Sequence, residues 1–245
     1  PNPKNAQATI TAVERGVHFI KNGQCSAICT MPISKSILKE GANFPFPGHT
    51  EYLAHLDESK NYAMMLVNKY LKVVPVTIHI PIKDITKYLN TELIEKTIKT
   101  THQELNSRFS ISNPNIWISG LNPHAGENGT IGDEEQKFII PIIKKLQSEG
   151  YNLLGPLSAD TMFYGKKRPR FDAAICMYHD QALIPIKTLD FHSSVNLTIG
   201  LSFIRTSPDH GTAFDIAGKN LANPTSTIEA IKLAWNMAKK EQKDR

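Results

Sequence analysis

Residues 171–187, FDAAICMYHDQALIPIK, constrain the fold more than any other stretch of the chain. Five consecutive apolar residues, Ala173-Ala174-Ile175-Cys176-Met177, have the length and character of a buried strand. The run stops at Tyr178-His179-Asp180-Gln181, and an apolar segment then leads to Lys187. A buried strand followed at once by a histidine and a carboxylate fits an open parallel α/β sheet, where ligands bind beyond the carboxyl ends of the strands. Two more histidines repeat the arrangement. His79 closes Val73-Val74-Pro75-Val76-Thr77-Ile78, and His124 follows Ile116-Trp117-Ile118-Ser119-Gly120 by a short Leu-Asn-Pro link. Any one of them reads as a hydrogen-bonded structural residue. As a set they admit a second reading, because imidazoles suit zinc and three protein ligands leave a position open for a substrate oxygen. Spacings of 45 and 55 residues match no short metal motif, so the residues alone leave both readings standing.

The rest of the chain alternates strands and helices. Helical periodicity covers 9–21, 34–40, 91–109, 133–149 and 225–240, and Thr50 is placed to cap a helix that would put His49 at its N-terminus, where anions bind. Strand-like runs cover 24–30, 63–67, 73–80, 115–119, 153–157, 195–199 and 202–206. Pro141 predicts a kink inside 133–149. Alternation of this kind predicts a predominantly parallel sheet with helices on both faces.

At 245 residues the chain can bury one large or two small cores. No run of 18 apolar residues and no signal peptide is present, so neither a membrane span nor a membrane partner is expected. The chain has no initiator Met and reads as lacking an N-terminal segment. Cys25, Cys29 and Cys176 are odd in number and unsuited to a zinc knuckle, which predicts buried free thiols and a cytoplasmic location. The net charge of +5 is spread out, with local runs at Lys166-Lys167-Arg168 with Arg170 and at Lys239-Lys240 with Lys243 and Arg245. Neither run interleaves aromatic residues, so nucleic acid is not an expected partner; a small anionic substrate explains them more simply.

Residues 207–224, SPDHGTAFDIAGKNLANP, form a Gly-punctuated loop longer than an ordinary connector, and such loops are usually functional. His210-Gly211-Thr212 offers backbone N–H groups, and Asp215 is a carboxylate of the kind that accepts ribose hydroxyls. No GxGxxG is present. The stretch resembles the adenine-nucleotide loop of the β-decarboxylating dehydrogenases, the isocitrate and isopropylmalate dehydrogenase superfamily. Further motifs narrow the likeness: Pro45-Phe46-Pro47-Gly48-His49-Thr50-Glu51, Gly120-Leu121-Asn122-Pro123-His124-Ala125-Gly126-Glu127, Met177-Tyr178-His179-Asp180-Gln181 and Phe203-Ile204-Arg205-Thr206-Ser207. Together they resemble the pyridoxine-biosynthesis branch of that superfamily, across nearly the whole chain.

The resemblance implies an α/β, two-lobed fold with a mostly parallel sheet and a central cleft. By the same analogy the first lobe takes residues 1–40 and 215–245 and the second takes 41–214. It implies a divalent metal on His79, His124 and His179, one of them supplied by the other subunit of a homodimer. Zinc is favoured by imidazole ligands, with magnesium, manganese or cobalt as alternatives. Substrate contacts fall on His49, Thr50, Lys187, Asn196 and Arg205, catalytic roles on Asp160 and Lys187, and NAD contacts on His210, Gly211, Asp215 and Asn223. The implied reaction is NAD-dependent oxidation of 4-phosphooxy-threonine. A dehydrogenase of a four-carbon sugar acid phosphate, such as threonate or erythronate 4-phosphate, shares these motifs. Metal-dependent phosphoester hydrolysis and a non-catalytic binding protein are the readings from other classes. Two departures stand out: Met31 replaces a small residue usual after Thr30, and Phe214 replaces the superfamily's common Pro. The family's Gly-rich N-terminal strand–turn has no counterpart in the sequence.

Overall fold

The structure, a computed structural model, describes residues 1–164 and 171–243. The basic run at Lys166, Lys167, Arg168 and Arg170 therefore lies outside the described residues, as does Arg245. The chain forms two compact units, Pro1–Tyr62 with His192–Arg245, and Ala63–Phe191. The expected lobe boundaries at 40/41 and 214/215 differ from these. The strand at 204–208 pairs with the strand at 27–29, and the strand at 195–199 pairs with 204–208, so both belong with the first unit.

The first unit opens with helix α1 (Ala6–Lys21), whose Ala6, Ile10, Val13 and Val17 recur on one face and are buried. Asn22 and Gly23 end it, Gly23 at φ 71°. Strand β1 (Ala27–Cys29) and helices α2 (Lys35–Ala42) and α3 (His49–Asp57) follow. The α1 stripe packs with Leu38, Phe44, Tyr52, Leu53 and Phe203 into this unit's core.

The second unit runs β2 (Ala63–Val67), β3 (Lys72–Pro75), α4 (Ile85–Tyr88), α5 (Thr91–Ser107), β4 (Ile116–Ser119), α6 (Ile140–Ser148), β5 (Leu153–Leu157), α7 (Ala159–Met162), β6 (Ala173–Cys176) and α8 (His179–Leu189). Its strands lie in the order β2-β3-β6-β4-β5. The pairs β3–β6, β6–β4 and β4–β5 are parallel, and only β2 runs against its neighbour β3. All four residues of β6 are buried, as a central parallel strand covered on both faces requires. The strand expected over 73–80 ends at Pro75, although Val76 and Thr77 still donate to the carbonyls of Cys176 and Met177 at 2.8 and 3.2 Å. The kink expected at Pro141 takes the form of a wide, π-helical turn, Glu135–Ile139, immediately before α6. A residue without an N–H is accommodated there because the wider turn does not need that donor.

The chain returns to the first unit with β7 (Val195–Ile199), β8 (Ile204–Pro208) and α9 (Thr225–Lys243). Strand β8 pairs parallel with β1 and antiparallel with β7. Helix α9 buries Ala230, Ala234, Met237 and Ala238, and leaves Ile228, Ile231 and Trp235 exposed. Of the large apolar residues in this helix Met237 is turned inward, while Ile228, Ile231 and Trp235 are not; the other buried apolar residues are alanines. No described helix is long and apolar enough to cross a membrane. All three cysteines are free, but only Cys176 is fully buried and Cys25 is exposed, which corrects the expectation of three buried thiols.

Candidate active site

The strand order of the second unit explains the recurring histidines. Adjacent parallel strands β3, β6, β4 and β5 point their carboxyl ends the same way, and past those ends come His79, His179, His124 and Asp160 in that spatial order. Pro75 of β3 is registered with Cys176 of β6, so histidines four and three residues further on emerge side by side. Their ring centroids are 5.7 Å apart, and both line a small cavity with Thr77, Tyr178 and Asp180. Zinc sits about 2.0–2.1 Å from each imidazole nitrogen in near-tetrahedral geometry, which sets two ligating rings about 5–6 Å apart. The His79–His179 pair fits that requirement. The Nδ1 of His179 is 2.6 Å from Asp180 Oδ1. A carboxylate there orients the ring with Nε2 turned outward, as the outer partners of metal-bound histidines do.

His124 stands apart from this pair and beside Asp160, whose carboxyl is held below its usual range first by the Ser158 hydroxyl at 2.7 Å and further by His124. Among the described residues no three His, Cys, Asp or Glu side chains gather closely enough to hold a metal ion. Within one chain, then, the structure brings together two of the three histidines. Lys187 lies in the last turn of α8, its Nζ 5.5 Å from the centre of the Phe191 ring.

The loop that carries His124 has an unusual backbone. His124, Ala125, Gly126, Glu127 and Asn128 all have positive φ, between 43° and 79°, and so make a left-handed turn. Such a backbone costs about 1–2 kcal/mol at each non-glycine residue. The turn is held by Ala125 N–H to Asn122 O (3.1 Å), Ile131 N–H to Gly126 O (3.1 Å) and Gln136 Nε2 to Asn128 O (2.8 Å). Strain kept in place by its surroundings is a feature of functional sites.

Gln181, not singled out in the sequence, ties two strand ends together. Its Oε1 accepts from Ser119 Oγ and Met177 N–H, both at 2.7 Å, and its Nε2 donates to Gly120 O at 2.8 Å. It thereby links the segments that lead to His124 and to His179. Gln181→Leu is expected to destabilise the protein by about 2–4 kcal/mol, since it strands three buried polar groups. Urea unfolding measures this directly; a loss below about 1 kcal/mol would show that the groups find other partners.

In the first unit, His49 is the first residue of α3 and Thr50 the second, with Gly48 rather than Thr50 at the cap position. Their N–H groups are among those a helix leaves unpaired at its start. Arg205 is 3% exposed and donates to Thr30 Oγ1 through Nε (3.1 Å) and Nη2 (2.8 Å), and to Thr198 Oγ1 through Nη1 (2.9 Å). Burial pushes it down to about 10, so it remains a cation at neutral pH. A guanidinium has five N–H donors, and three are used here, all on neutral hydroxyls. The β7–β8 register sets Thr198 opposite Arg205 and Asn196 opposite Ser207, so Asn196 and Arg205 share one face of the pair. Asn196 Oδ1 and His49 Nε2 are buried without a hydrogen-bond partner.

Burial, then the charges of Arg205 and Lys35, push His49 down to about 4, so the ring is neutral at pH 7. Unfolding restores a value near 6.5, and between pH 6.5 and 4 the unfolded chain binds the extra proton. Stability from this group is complete above pH 6.5 and is lost as the pH falls toward 4. Wild-type protein is expected to lose about 2 kcal/mol more than His49→Gln between pH 7.5 and 4.5 in urea unfolding. Equal losses in the two proteins would contradict a buried neutral ring. Lys35 also belongs here, although no motif marks it: a Cβ on Gly48 would lie 3.4 Å from its Cε, which puts its side chain beside the start of α3. Its only signal in the sequence is its place shortly after Thr30.

The loop 209–224 borders a cavity of about 580 Å³ in the first unit, within the range of small-molecule sites. His210 and Gly211 line it, as do both departures from the superfamily pattern, Met31 and Phe214. Asp215 is exposed in the short turn Phe214–Ile216 and does not itself line the cavity. Asn223 is placed differently again: its Oδ1 accepts from the N–H and hydroxyl of Thr225 and so organises the start of α9. Backbone N–H groups, an open glycine and a nearby carboxylate are groups of the kind that hold an adenine nucleotide.

Residues 1–234 match the family model described as pyridoxal phosphate biosynthetic protein PdxA. A 4-hydroxythreonine-4-phosphate dehydrogenase from Roseobacter denitrificans is 56% identical over 239 residues, 97% of this chain and 73% of that protein. The crystal structure of a 4-hydroxythreonine-4-phosphate dehydrogenase from Klebsiella pneumoniae superposes with a TM-score of 0.87 at 38% identity, covering 97% of this chain and 72% of that one. A terephthalate 1,2-cis-dihydrodiol dehydrogenase from Burkholderia xenovorans is similar at a TM-score of 0.72 and 29% identity, over 96% of this chain and 74% of that one.

Proposed function

The chain belongs to the PdxA family of pyridoxal phosphate biosynthetic proteins and is an oxidoreductase, and from that premise we propose that it oxidises 4-phosphooxy-L-threonine with NAD and a divalent metal. The product, 2-amino-3-oxo-4-phosphooxybutanoate, loses its carboxylate to give 3-amino-2-oxopropyl phosphate. The proposed setting is cytoplasmic pyridoxal phosphate synthesis by a homodimer whose subunits share each active site.

The observation that carries this reading is Arg205, a buried cation whose bound partners are neutral hydroxyls and which keeps two N–H donors free for an anion. A buried charge hydrogen-bonded only to neutral groups is expensive unless a ligand of opposite sign completes it, and a planar guanidinium matches a phosphate or carboxylate in bidentate fashion. The unpartnered Oδ1 of Asn196 accepts a substrate hydroxyl or ammonium proton, and neutral His49 bonds the substrate without adding charge. Thr50 adds a hydroxyl and an unpaired N–H at the start of α3. Lys187 supplies a second cation for the anionic ends. His79 and His179 would hold the metal, with His124 completing the set from the shared dimer site. Bound there, a divalent ion would lower the pKa of the substrate hydroxyl, and bound NAD would supply the hydride acceptor that oxidation of the alcohol to a ketone requires. Asp160, kept ionised by the Ser158 hydroxyl, is a group able to accept the hydroxyl proton. His210, Gly211, Asp215 and Asn223 are proposed to hold the NAD, with Asp215 on a ribose hydroxyl.

The test is NADH formation by the purified protein with zinc, magnesium, manganese or cobalt, offered 4-phosphooxy-L-threonine and D-threonate 4-phosphate side by side. A clear preference for the amino compound supports the proposal. Preference for the sugar acid phosphate assigns the same chemistry to another substrate. Phosphate release without NAD would replace the dehydrogenase reading by a hydrolase one.

A further inference from the structure

Glu135 is 1% exposed and opens the wide turn that leads into α6. Its Oε1 accepts from the N–H groups of Leu121 (2.8 Å) and Asn122 (2.7 Å), and its Oε2 from Asn122 Nδ2 (3.0 Å). Asn122 Nδ2 also reaches Glu134 at 2.7 Å. These donors to Glu135 are neutral amides, so the side chain is an acceptor serving one short stretch of backbone just before His124. The same carboxylate packs against both glycines of that stretch. A Cβ on Gly126 would come 2.5 Å from Oε2, and one on Gly120 would come 3.0 Å from Oε1 and 2.7 Å from Ala125 Cα. Gly126 at φ 79° is one of the five left-handed residues. Enclosed in this way, Glu135 has no access to a substrate; what it touches is the turn.

We propose that Glu135 is a positioning residue: its buried carboxylate holds the backbone at 121–126 on its path into the left-handed turn that carries His124, and so sets where that imidazole stands. Charge-assisted acceptance of two consecutive backbone N–H groups fixes the entry to the turn, and close packing on Gly126 fixes its middle. The role rests on the reading of His124 as part of the metal site.

The test is calorimetric titration of the purified protein with zinc(II), run beside thermal unfolding, for wild type, His124→Ala, Glu135→Gln, Glu135→Ala and the His124→Ala/Glu135→Ala double variant. Glu135→Ala is expected to weaken zinc binding about 10–100-fold, the range for outer partners of metal ligands, with cooperative unfolding retained. Glu135→Gln keeps a carbonyl oxygen for the two backbone N–H groups and is expected to recover most of the loss. The double variant is expected to bind no more weakly than His124→Ala alone, because Glu135 acts through His124. Should Glu135→Ala fail to fold, Gly126→Ala, which drives a methyl against Oε2, is expected to weaken zinc binding in the same direction. Unchanged zinc affinity in folded Glu135→Ala, with His124→Ala impaired, overturns the positioning role and leaves the metal reading intact. Unchanged affinity in His124→Ala removes the premise and the proposal with it.

Discussion

An alanine at position 179 is expected to lower NADH formation at least about a thousandfold, which corresponds to about 4 kcal/mol of barrier, while the protein stays folded. His179 is the first residue of α8, with its side chain 35% exposed, and its close polar partner is the exposed Asp180. Its removal leaves no buried group stranded and opens no core cavity, so the change in stability should stay within about 1 kcal/mol. The proposed loss is one of two adjacent imidazoles, 5.7 Å apart at their centroids, that would hold a Lewis acid beside the substrate hydroxyl. Such an ion supplies several kcal/mol of charge stabilisation. His79→Ala should behave alike, and both variants should lose bound metal on dialysis. Turnover within about tenfold of wild type in both would remove the pair from the mechanism.

Arg205→Lys is expected to lower kcat/KM by about 100-fold or more, chiefly through KM for the phosphorylated substrate. Lysine keeps the charge but brings a flexible ammonium with three donors in place of a rigid fork with five. After satisfying Thr30 and Thr198 it has too few donors left for a bidentate anion. Arg205→Met should be at least as severe for the substrate. Its effect on stability is a balance: a buried cation with neutral partners is removed, and two threonine hydroxyls lose a donor. The net is expected within about 1 kcal/mol of wild type. Steady-state kinetics and urea unfolding on the two variants separate these effects. A lysine variant with unchanged KM would place the anionic end of the substrate elsewhere.

Much of the local structure was legible in the sequence because it is written in contiguous residues. The stripe Ala6, Ile10, Val13, Val17 has helical spacing, and α1 forms there. The run 63–67 is unbroken apolar sequence and is β2. Polar clusters directly after apolar runs marked His79, His124, Asp160 and His179, and each does follow the carboxyl end of a parallel strand. Other features were not legible. The inward face of α9 is built of alanines and Met237, because close approach to a strand pair favours small side chains, whereas Ile228, Ile231 and Trp235 point the other way. Gln181 reaches the backbone of Gly120, 61 residues away, and Glu135 reaches backbone groups 13–14 residues away, so no local pattern marks either role. The left-handed course of 124–128 contains one glycine among five residues; what holds it is hydrogen bonding and packing from outside the turn.

By itself, then, the sequence determined the element types, the predominantly parallel α/β class and the residues proposed to carry chemistry, since period, turn residues and motif loops are properties of neighbours along the chain. Tertiary structure decided which of those residues meet. The order β3-β6-β4-β5 puts position 179 beside position 79, a hundred residues earlier, and sets 124 with 160. It also decided that β7, β8 and α9 rejoin the unit begun by β1. The physical reason is that strand adjacency is chosen by hydrogen bonding and burial between distant segments, and no periodicity within either segment encodes its partner.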